Sequence, residues 1–351
     1  MRDIVINGRK IGPNFPPYVI AEMSGNHNHD LERAKLMIEK AHAAGADAIK
    51  LQTYTADTIT IRSDRPEFKV NEGLWEGRQL HDLYEEAHTP WEWHPILFEH
   101  AAKVGITIFS SPFDATAVDL LESLGAPAYK IASAEITDFG LMEKVASCGK
   151  PIILSTGMAT NEEIIEAVNV FKKLEVEDLI VLHCISAYPT PVDGLNLKRM
   201  HYLRDTLGVH IGLSDHSMGV MGGICSTVAG AVVLEKHFTL SRTDGGVDSS
   251  FSLDIDELGE LCKTVKQAHS ALGNAESEVT ASEAGTRQFR RSLYFVKDIS
   301  AGETITADAV RSIRPSNGLH PKYLKEIIGM IASKDISYGT PTTWEVIKKQ
   351  K

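Results

Sequence analysis

At 351 residues, 43% hydrophobic and 24% charged, with no low-complexity tract, the chain has the make-up of an ordinary soluble globular protein. That length holds roughly two domains, or one large α/β barrel with a small companion. A formal net charge of -11 with no basic run argues against nucleic-acid and anionic-membrane partners, so any anionic ligand must be held by a few locally placed lysines and arginines.

Cys148, Cys184, Cys225 and Cys262 follow no C-x-x-C or zinc-finger spacing. With no signal peptide at the N-terminus, they read as reduced thiols of a cytoplasmic protein. The stretch 218–234 carries no charge, but it is short for a membrane span and rich in Gly, Ser and Thr. Gly230 divides it into a predicted helix and a β-branched strand, so it reads as buried core.

Short β-rich apolar runs alternate with helical periodicity from the start. The run 18–22 (YVIAE) precedes a predicted helix over 30–44, whose Leu31, Ala34, Met37, Ile38 and Ala41 recur at helical spacing and which Gly45 ends. The next strand, 48–52 (AIKLQ), leads into a polar and aromatic stretch, 53–94, with the motifs G-L-W-E-G-R and T-P-W-E-W-H. It is too long for an ordinary connection and reads as a functional excursion over one end of the fold. Beyond it, strands at 107–111, 128–133, 151–156, 179–184, 209–214 and 231–237 alternate with helices at 95–104, 115–124, 139–147, 161–173, 197–207 and 221–229. A helix over 256–272 closes the series.

Eight such units, with no G-x-G-x-x-G after the first strand, predict an α/β fold of the (β/α)8 TIM-barrel type rather than an open doubly wound sheet. The barrel pattern spans 1–273, and 274–286 is a polar linker. Residues 287–351 change to short strands, turn signals at 301–303 and 338–340, and the motif R-P-S-N-G-L-H-P from Arg314 to Pro321. This is a second, small, mostly β domain of marginal stability by itself.

The active site of a barrel lies at the C-terminal ends of its strands. Here those ends carry Glu22, Lys50 with Gln52, Ser110 and Ser111, Lys130 with Ser133 and Glu135, Ser155 with Thr156, Ser186 with Tyr188, Ser214 with His216, and His237. A lone strand-end histidine is ordinarily a hydrogen-bonded structural residue. Two on neighbouring strands, beside Glu22 and Glu135, point instead to a divalent metal. Because two imidazoles leave coordination positions open, a six-coordinate ion such as Mn2+ suits them better than closed structural zinc.

Lys50 and Lys130 sit inside strands that otherwise look buried. Either they meet an anionic phosphate or carboxylate, or one of them is a Schiff-base lysine. With Ser133, Ser155 and Thr156 as further donors, a doubly anionic ligand is the more economical reading. Glu135 lies two residues beyond Ser133 and would share its side of an extended chain, where it could handle a proton or water. Alternatively it pairs with Lys130.

With these residues assembled, the chain resembles the sialic acid synthase family over essentially its whole length. The resemblance rests on A-E-M-S-G-N-H (21–27), Y-K-I-A-S-A-E (129–135), L-S-T-G-M (154–158), G-L-S-D-H-S (212–217) and E-K-H-F (235–238), with a tail similar to an antifreeze-like SAF domain. It implies an enzyme, a transferase that joins phosphoenolpyruvate to an amino-sugar aldehyde with release of phosphate. It implies His216 and His237 as Mn2+ ligands and Lys50, Lys130, Ser133 and Ser155 around phosphoenolpyruvate. Glu22 and Glu135 become the acid/base and water-orienting carboxylates, and Asp248 lies near the acceptor sugar. Gln52, Ser111, Tyr188 and Ser214 complete the substrate-binding set. Arg314 would reach the barrel of a second copy in a domain-swapped homodimer.

One departure bears on the acceptor. Ser186, in H-C-I-S-A-Y-P, replaces an asparagine that the resemblance places at the sugar of N-acetylneuraminate synthases. G-L-W-E-G-R, T-P-W-E-W-H, S-D-H-S-M-G and D-S-S-F-S-L-D look like the pseudaminic acid branch, whose acceptor is a less polar 6-deoxy-2,4-diacetamido hexose. The aromatic excursion with Trp75, Trp91 and Trp93 could suit such a sugar, or could simply be the core of a long loop. N-acetylmannosamine and the legionaminic acid precursor stay open as acceptors, as does a Schiff-base aldolase acting through Lys130.

Overall fold

The computed structural model describes residues 1–276 and 278–349, which divide into two compact units, Met1–Gly273 and Asn274–Lys351. The first begins with a hairpin of β1 (Ile4–Ile6) and β2 (Arg9–Ile11), turned at Asn7-Gly8 with φ of 46° and 80°. Asn-Gly is the pair that tolerates two such residues in a row. This hairpin is absent from the sequence expectation, because three residues per strand give periodicity too little to work on.

Eight parallel strands follow: β3 (Tyr18–Glu22), β4 (Ala48–Thr53), β5 (Thr107–Pro112), β6 (Tyr129–Ile131), β7 (Ile152–Ser155), β8 (Leu179–Cys184), β9 (His210–Asp215) and β10 (Val233–His237). They hydrogen-bond in chain order, and β10 returns to β3 to close the barrel. This is the predicted (β/α)8 fold.

Helix starts follow capping chemistry. The Asp30 carboxylate accepts from the backbone N–H of Glu32 and Arg33, so the first helix runs Leu31–Ala44. Thr160 with Glu163, and Asp254 with Glu257, form reciprocal capping boxes at Asn161–Lys173 and Ile255–Leu272. The uncharged stretch becomes the helix Met221–Val228 and strand β10, and among the described residues no helix is long and apolar enough to cross a membrane.

The apolar core has two layers. The larger lies between strands and helices; the smaller fills the barrel, where Ile4, Ile6 and Ile11 pack with Tyr18, Ile20, Phe109, Ile153 and Ile180. Burying each isoleucine contributes about 1.5–3 kcal/mol. Most of the strand residues in this inner cluster come from the N-terminal halves of their strands, so the hairpin stoppers that end. Only the opposite mouth is left for polar chemistry.

Two boundaries matter for the site. The strand expected over 128–133 ends at Ile131, and Ser133–Glu135 forms a 3-10 turn. Glu135 is therefore not placed by strand alternation. The excursion after β4 contains two short helices, Ala56–Ile59 and Leu80–Ala87.

The second unit pairs β11 (Ser292–Phe295) with β12 (Val310–Ile313), and β13 (Ile331–Ala332) with β14 (Ile347–Lys348). Its own core is built on Leu293, Phe295, Ile305, Val310, Ile327 and Ile347. A 3-10 helix, Ala281–Phe289, occupies part of the expected linker.

Candidate active site

Parallel register sets the site. It places His237 beside Glu22, Glu22 beside Lys50, and Ser214 beside Glu235 on adjacent strands. Where the apolar inner core ends, four buried charged side chains form a compact network. Lys50 Nζ lies 2.5 Å from Glu22 and 3.8 Å from Glu235, and it donates to Ser111 Oγ at 3.1 Å. Lys130 Nζ donates to both Glu235 oxygens, at 2.9 and 3.1 Å.

Two lysines and two carboxylates cancel formally. Burial raises the Glu22 carboxyl above its usual range, a pull that Lys50 opposes. For Glu235 burial also disfavours charge, but Lys130 and Lys50 outweigh it and hold the group down to about 2. The two lysines thus face one carboxylate that burial pushes toward its neutral form and one that they hold ionised.

Above this network lies a cavity of about 190 Å3, lined by Lys50, Lys130, Ser133, Glu135, Ser155 and His237 among others. Besides Glu22 Oε2, which faces Lys50 Nζ, three buried polar atoms there lack any hydrogen-bond partner: Ser155 Oγ, Glu135 Oε2 and His237 Nδ1. Buried polar groups are almost always satisfied, so three orphans in one polar cavity mark a place shaped for a ligand. Burial lifts Glu135 to about 7, which poises it to hold or release a proton near neutrality. Gly157 follows β7, and a Cβ there would strike Ser186 Oγ and lie 2.8 Å from Ser133 Oγ, so only glycine leaves that wall open.

A second cavity of about 310 Å3 shares Gln52, Tyr188 and His237 with the first. Its other walls are mostly apolar: Tyr54, Trp75, Leu80, Leu83, Tyr84 and Val247. Trp75 is fixed by its indole N–H, which donates to the Val247 carbonyl at 2.9 Å. The excursion thus folds back as a lining rather than a detached loop. Asp248 borders this cavity, accepts from Ser24 Oγ and lies 3.5 Å from His237 Nδ1.

His216 and His237 stand with ring centroids 5.3 Å apart. The Ile185 carbonyl sits 3.0 Å from His216 Nδ1, which leaves Nε2 for a ligand. Burial holds His237 neutral, well below its ordinary value, as a metal-binding imidazole must be. Among the described residues no group of three or more His, Cys, Asp and Glu is arranged to hold an ion alone. The pair, with an orphan nitrogen, fits an open site completed by water or substrate oxygens.

The NeuB family model matches residues 37–277, more than half of the sequence. The chain belongs to the NeuB family. A SAF domain model matches residues 290–348. The chain is 46% identical to the pseudaminic acid synthase of Campylobacter jejuni subsp. jejuni serotype O:23/36 (strain 81-176), covering 92% of this chain and 94% of that one. It is 43% identical to the pseudaminic acid synthase of Helicobacter pylori (strain ATCC 700392 / 26695), covering 95% and 98%. Among solved structures, the N-acetylneuraminic acid (sialic acid) synthetase of Leptospira borgpetersenii serovar Hardjo-bovis in complex with citrate superposes with a TM-score of 0.73 at 33% identity, covering 81% of this chain and 95% of that one.

In this NeuB family barrel, the sequence-derived residues Glu22, Lys50, Gln52, Ser111, Lys130, Ser133, Glu135, Ser155, Ser186, Tyr188, Ser214, His216 and His237 all line the inner cavity. Asp248 lies one compartment further out, and Arg314 belongs to the second unit. Three expectations need correction. Lys130 pairs with Glu235, not Glu135. The lysines already have anions in Glu22 and Glu235, so their burial alone is no proof of a bound phosphate. Thr156 donates its hydroxyl to the Leu182 carbonyl at 3.0 Å and is not a free donor, and the Ser110 hydroxyl shares a 2.6 Å hydrogen bond with Thr53 and lines neither cavity.

Glu235 and the outer-cavity residues Tyr54, Leu80, Leu83, Tyr84 and Val247 are the ones that sequence reasoning missed. Glu235 alternates with Lys236, and the strand pattern that pointed Lys50 and Lys130 inward would have pointed Glu235 inward too. Of the excursion's three tryptophans, Trp75 lines the outer cavity, while Trp91 donates to the Tyr54 carbonyl at 3.2 Å and Trp93 packs edge-on against His27.

Proposed function

We propose that the chain is a pseudaminic acid synthase, condensing phosphoenolpyruvate with 2,4-diacetamido-2,4,6-trideoxy-altrose and water to give pseudaminate and inorganic phosphate. The observation that carries this reading is the convergence of Ser155 Oγ, Glu135 Oε2 and His237 Nδ1, all buried and unpartnered, into the cavity over the lysines.

In this reading Lys50, Lys130, Ser111, Ser133 and Ser155 hold the phosphate and carboxylate of phosphoenolpyruvate. The open-chain sugar occupies the outer cavity, its less polar parts against Trp75, Tyr84 and Leu83 and its polar groups toward Gln52, Ser186, Tyr188 and Asp248. His216 and His237 would hold a divalent ion, most simply Mn2+, whose contribution when bound is to polarise the sugar's aldehyde.

Carbon–carbon bond formation from C3 of the enol phosphate leaves positive charge at C2. Glu135 orients the water that adds at C2 and accepts its proton, and phosphate then departs by C–O cleavage. Glu22, its carboxyl raised by burial, can supply a proton beside Lys50. The same reading makes the enzyme a cytoplasmic homodimer in which Arg314 of one copy serves the barrel of the other. A Schiff-base aldolase fits less well, because Lys130 commits its ammonium to both oxygens of Glu235.

Timed phosphate release from phosphoenolpyruvate, Mn2+ and each of three sugars tests this: the 6-deoxy altrose derivative, N-acetylmannosamine and the legionaminic acid precursor. Turnover is expected to be fastest with the first and abolished by a chelator. No turnover with the first sugar, or borohydride trapping of a pyruvate adduct on Lys130, overturns it.

A further inference from the structure

Strand alternation sends Ser214, His216, Glu235 and His237 to the cavity side, and therefore sends Asp215 and Lys236 to the outer side of the same two strands. Asp215 and Lys236 are register partners at the last rung between β9 and β10. Their side chains are each 2% exposed and meet at 2.7 Å. The Asp215 carboxylate also accepts from Ser217 N–H at 2.9 Å and Ser217 Oγ at 2.7 Å, and Lys236 donates to the Ser217 carbonyl. The turn that carries His216 is thus wrapped around one carboxylate, which is tied in turn to the residue before His237. Gly222 leans on the same carboxylate so closely that a Cβ would lie 2.5 Å from it.

A buried ion pair of this kind is a poor stabiliser. Removing both charges from water is expensive, and apolar replacements of similar volume are often neutral or better. Burial drags Lys236 below its ordinary value despite Asp215, the mark of that desolvation. What the pair does uniquely is geometric: it fixes the two strand ends from which the histidines project.

We propose that Asp215 and Lys236 are positioning residues for the divalent-metal site, setting the separation and aim of His216 and His237 without touching ion or substrate. This rests on the reading of the histidines as metal ligands. Partners one step behind metal ligands typically govern affinity by about 10–100-fold.

The test is Mn2+ titration, with free Mn2+ read by electron paramagnetic resonance, alongside thermal melting, on wild type, the double variant Asp215→Leu/Lys236→Met and the mild variant Ser217→Ala. The double variant is expected to melt close to wild type and to bind Mn2+ roughly 10–100-fold more weakly. Ser217→Ala, which removes one bond to Asp215, should weaken Mn2+ several-fold with no change in melting, and it keeps the proposal testable if the double variant does not fold. Wild-type Mn2+ affinity in Ser217→Ala and in a folded double variant would overturn the positioning role alone. Failure of wild type to bind Mn2+ would overturn the metal-ligand reading beneath it.

Discussion

Lys130 on β6 and Glu235 on β10 stand four strands apart on a ring of eight, hence on opposite walls, and join at 2.9 Å across the barrel. With Lys50 and Glu22 they make a charged floor under the cavity. Removing one partner of a buried pair costs about 3–5 kcal/mol. Glu235→Gln should therefore lower the melting temperature by roughly 6–20 °C, at about 2–4 °C per kcal/mol. By leaving both lysines underneutralised, it should also lower the KM for phosphoenolpyruvate while reducing kcat. A wild-type melting curve would show that the floor does not depend on this pair.

Glu135, raised by burial to about 7, is protonated below that pH and ionised above it. A carboxylate that orients water must be ionised, so kcat should rise with pH through about 7. Glu135→Gln should leave a low activity without that inflection. A kcat that falls over the same range would assign Glu135 as the acid instead.

His27 and His94 are buried and held neutral, at about 3 and about 4 against an ordinary 6.5. Below pH 6.5 the unfolded chain binds protons that the folded chain refuses. Stability should therefore fall with pH from 6.5 toward 4, by up to about 1.4 kcal/mol per unit for each imidazole, and gain nothing from these groups above 6.5. Urea unfolding of wild type and His94→Gln between pH 4.5 and 7.5 checks this; equal slopes would exclude His94 as a contributor.

Trp75→Ala opens the wall of the outer cavity and frees the Val247 carbonyl. We expect the sugar KM to rise roughly tenfold, equivalent to about 1.4 kcal/mol, with the phosphoenolpyruvate KM within twofold of wild type. Trp93→Phe, whose ring packs on His27 away from both cavities, is the control. An unchanged sugar KM in Trp75→Ala would remove this ring from acceptor recognition.

Gly157→Ala would place a methyl group against Ser133 and Ser186 in the inner cavity. Steady-state kinetics should show the phosphoenolpyruvate KM raised tenfold or more, with a loss of stability of about 1–3 kcal/mol from the overpacking. Normal kinetics would mean that Ser133 and Ser186 can move aside.

The barrel was legible because its elements announce themselves locally: short β-branched strands, helices with apolar residues at helical spacing, and polar residues gathered at one end of each strand. The site was legible as a residue set, but its pairings were not. Glu135 ends a 3-10 turn that no alternation rule foresees, and Lys130 takes a partner 105 residues away. Contacts of that kind depend on how far each strand is staggered around the ring, which pattern along one strand does not encode. The β1–β2 hairpin was missed for the opposite reason: its strands are too short to repeat.

That hairpin turns the barrel into a blind-ended well. Gln52, Tyr188 and His237 are the three residues common to the inner and outer chambers, so the two chambers meet at one neck. A small anion seated on the lysines leaves the outer chamber empty for a sugar, whereas a sugar seated first would cover the shared neck. On the proposed placement of the two substrates, the shared neck favours one loading order, the enol phosphate first and the aldehyde second, which product-inhibition patterns would test.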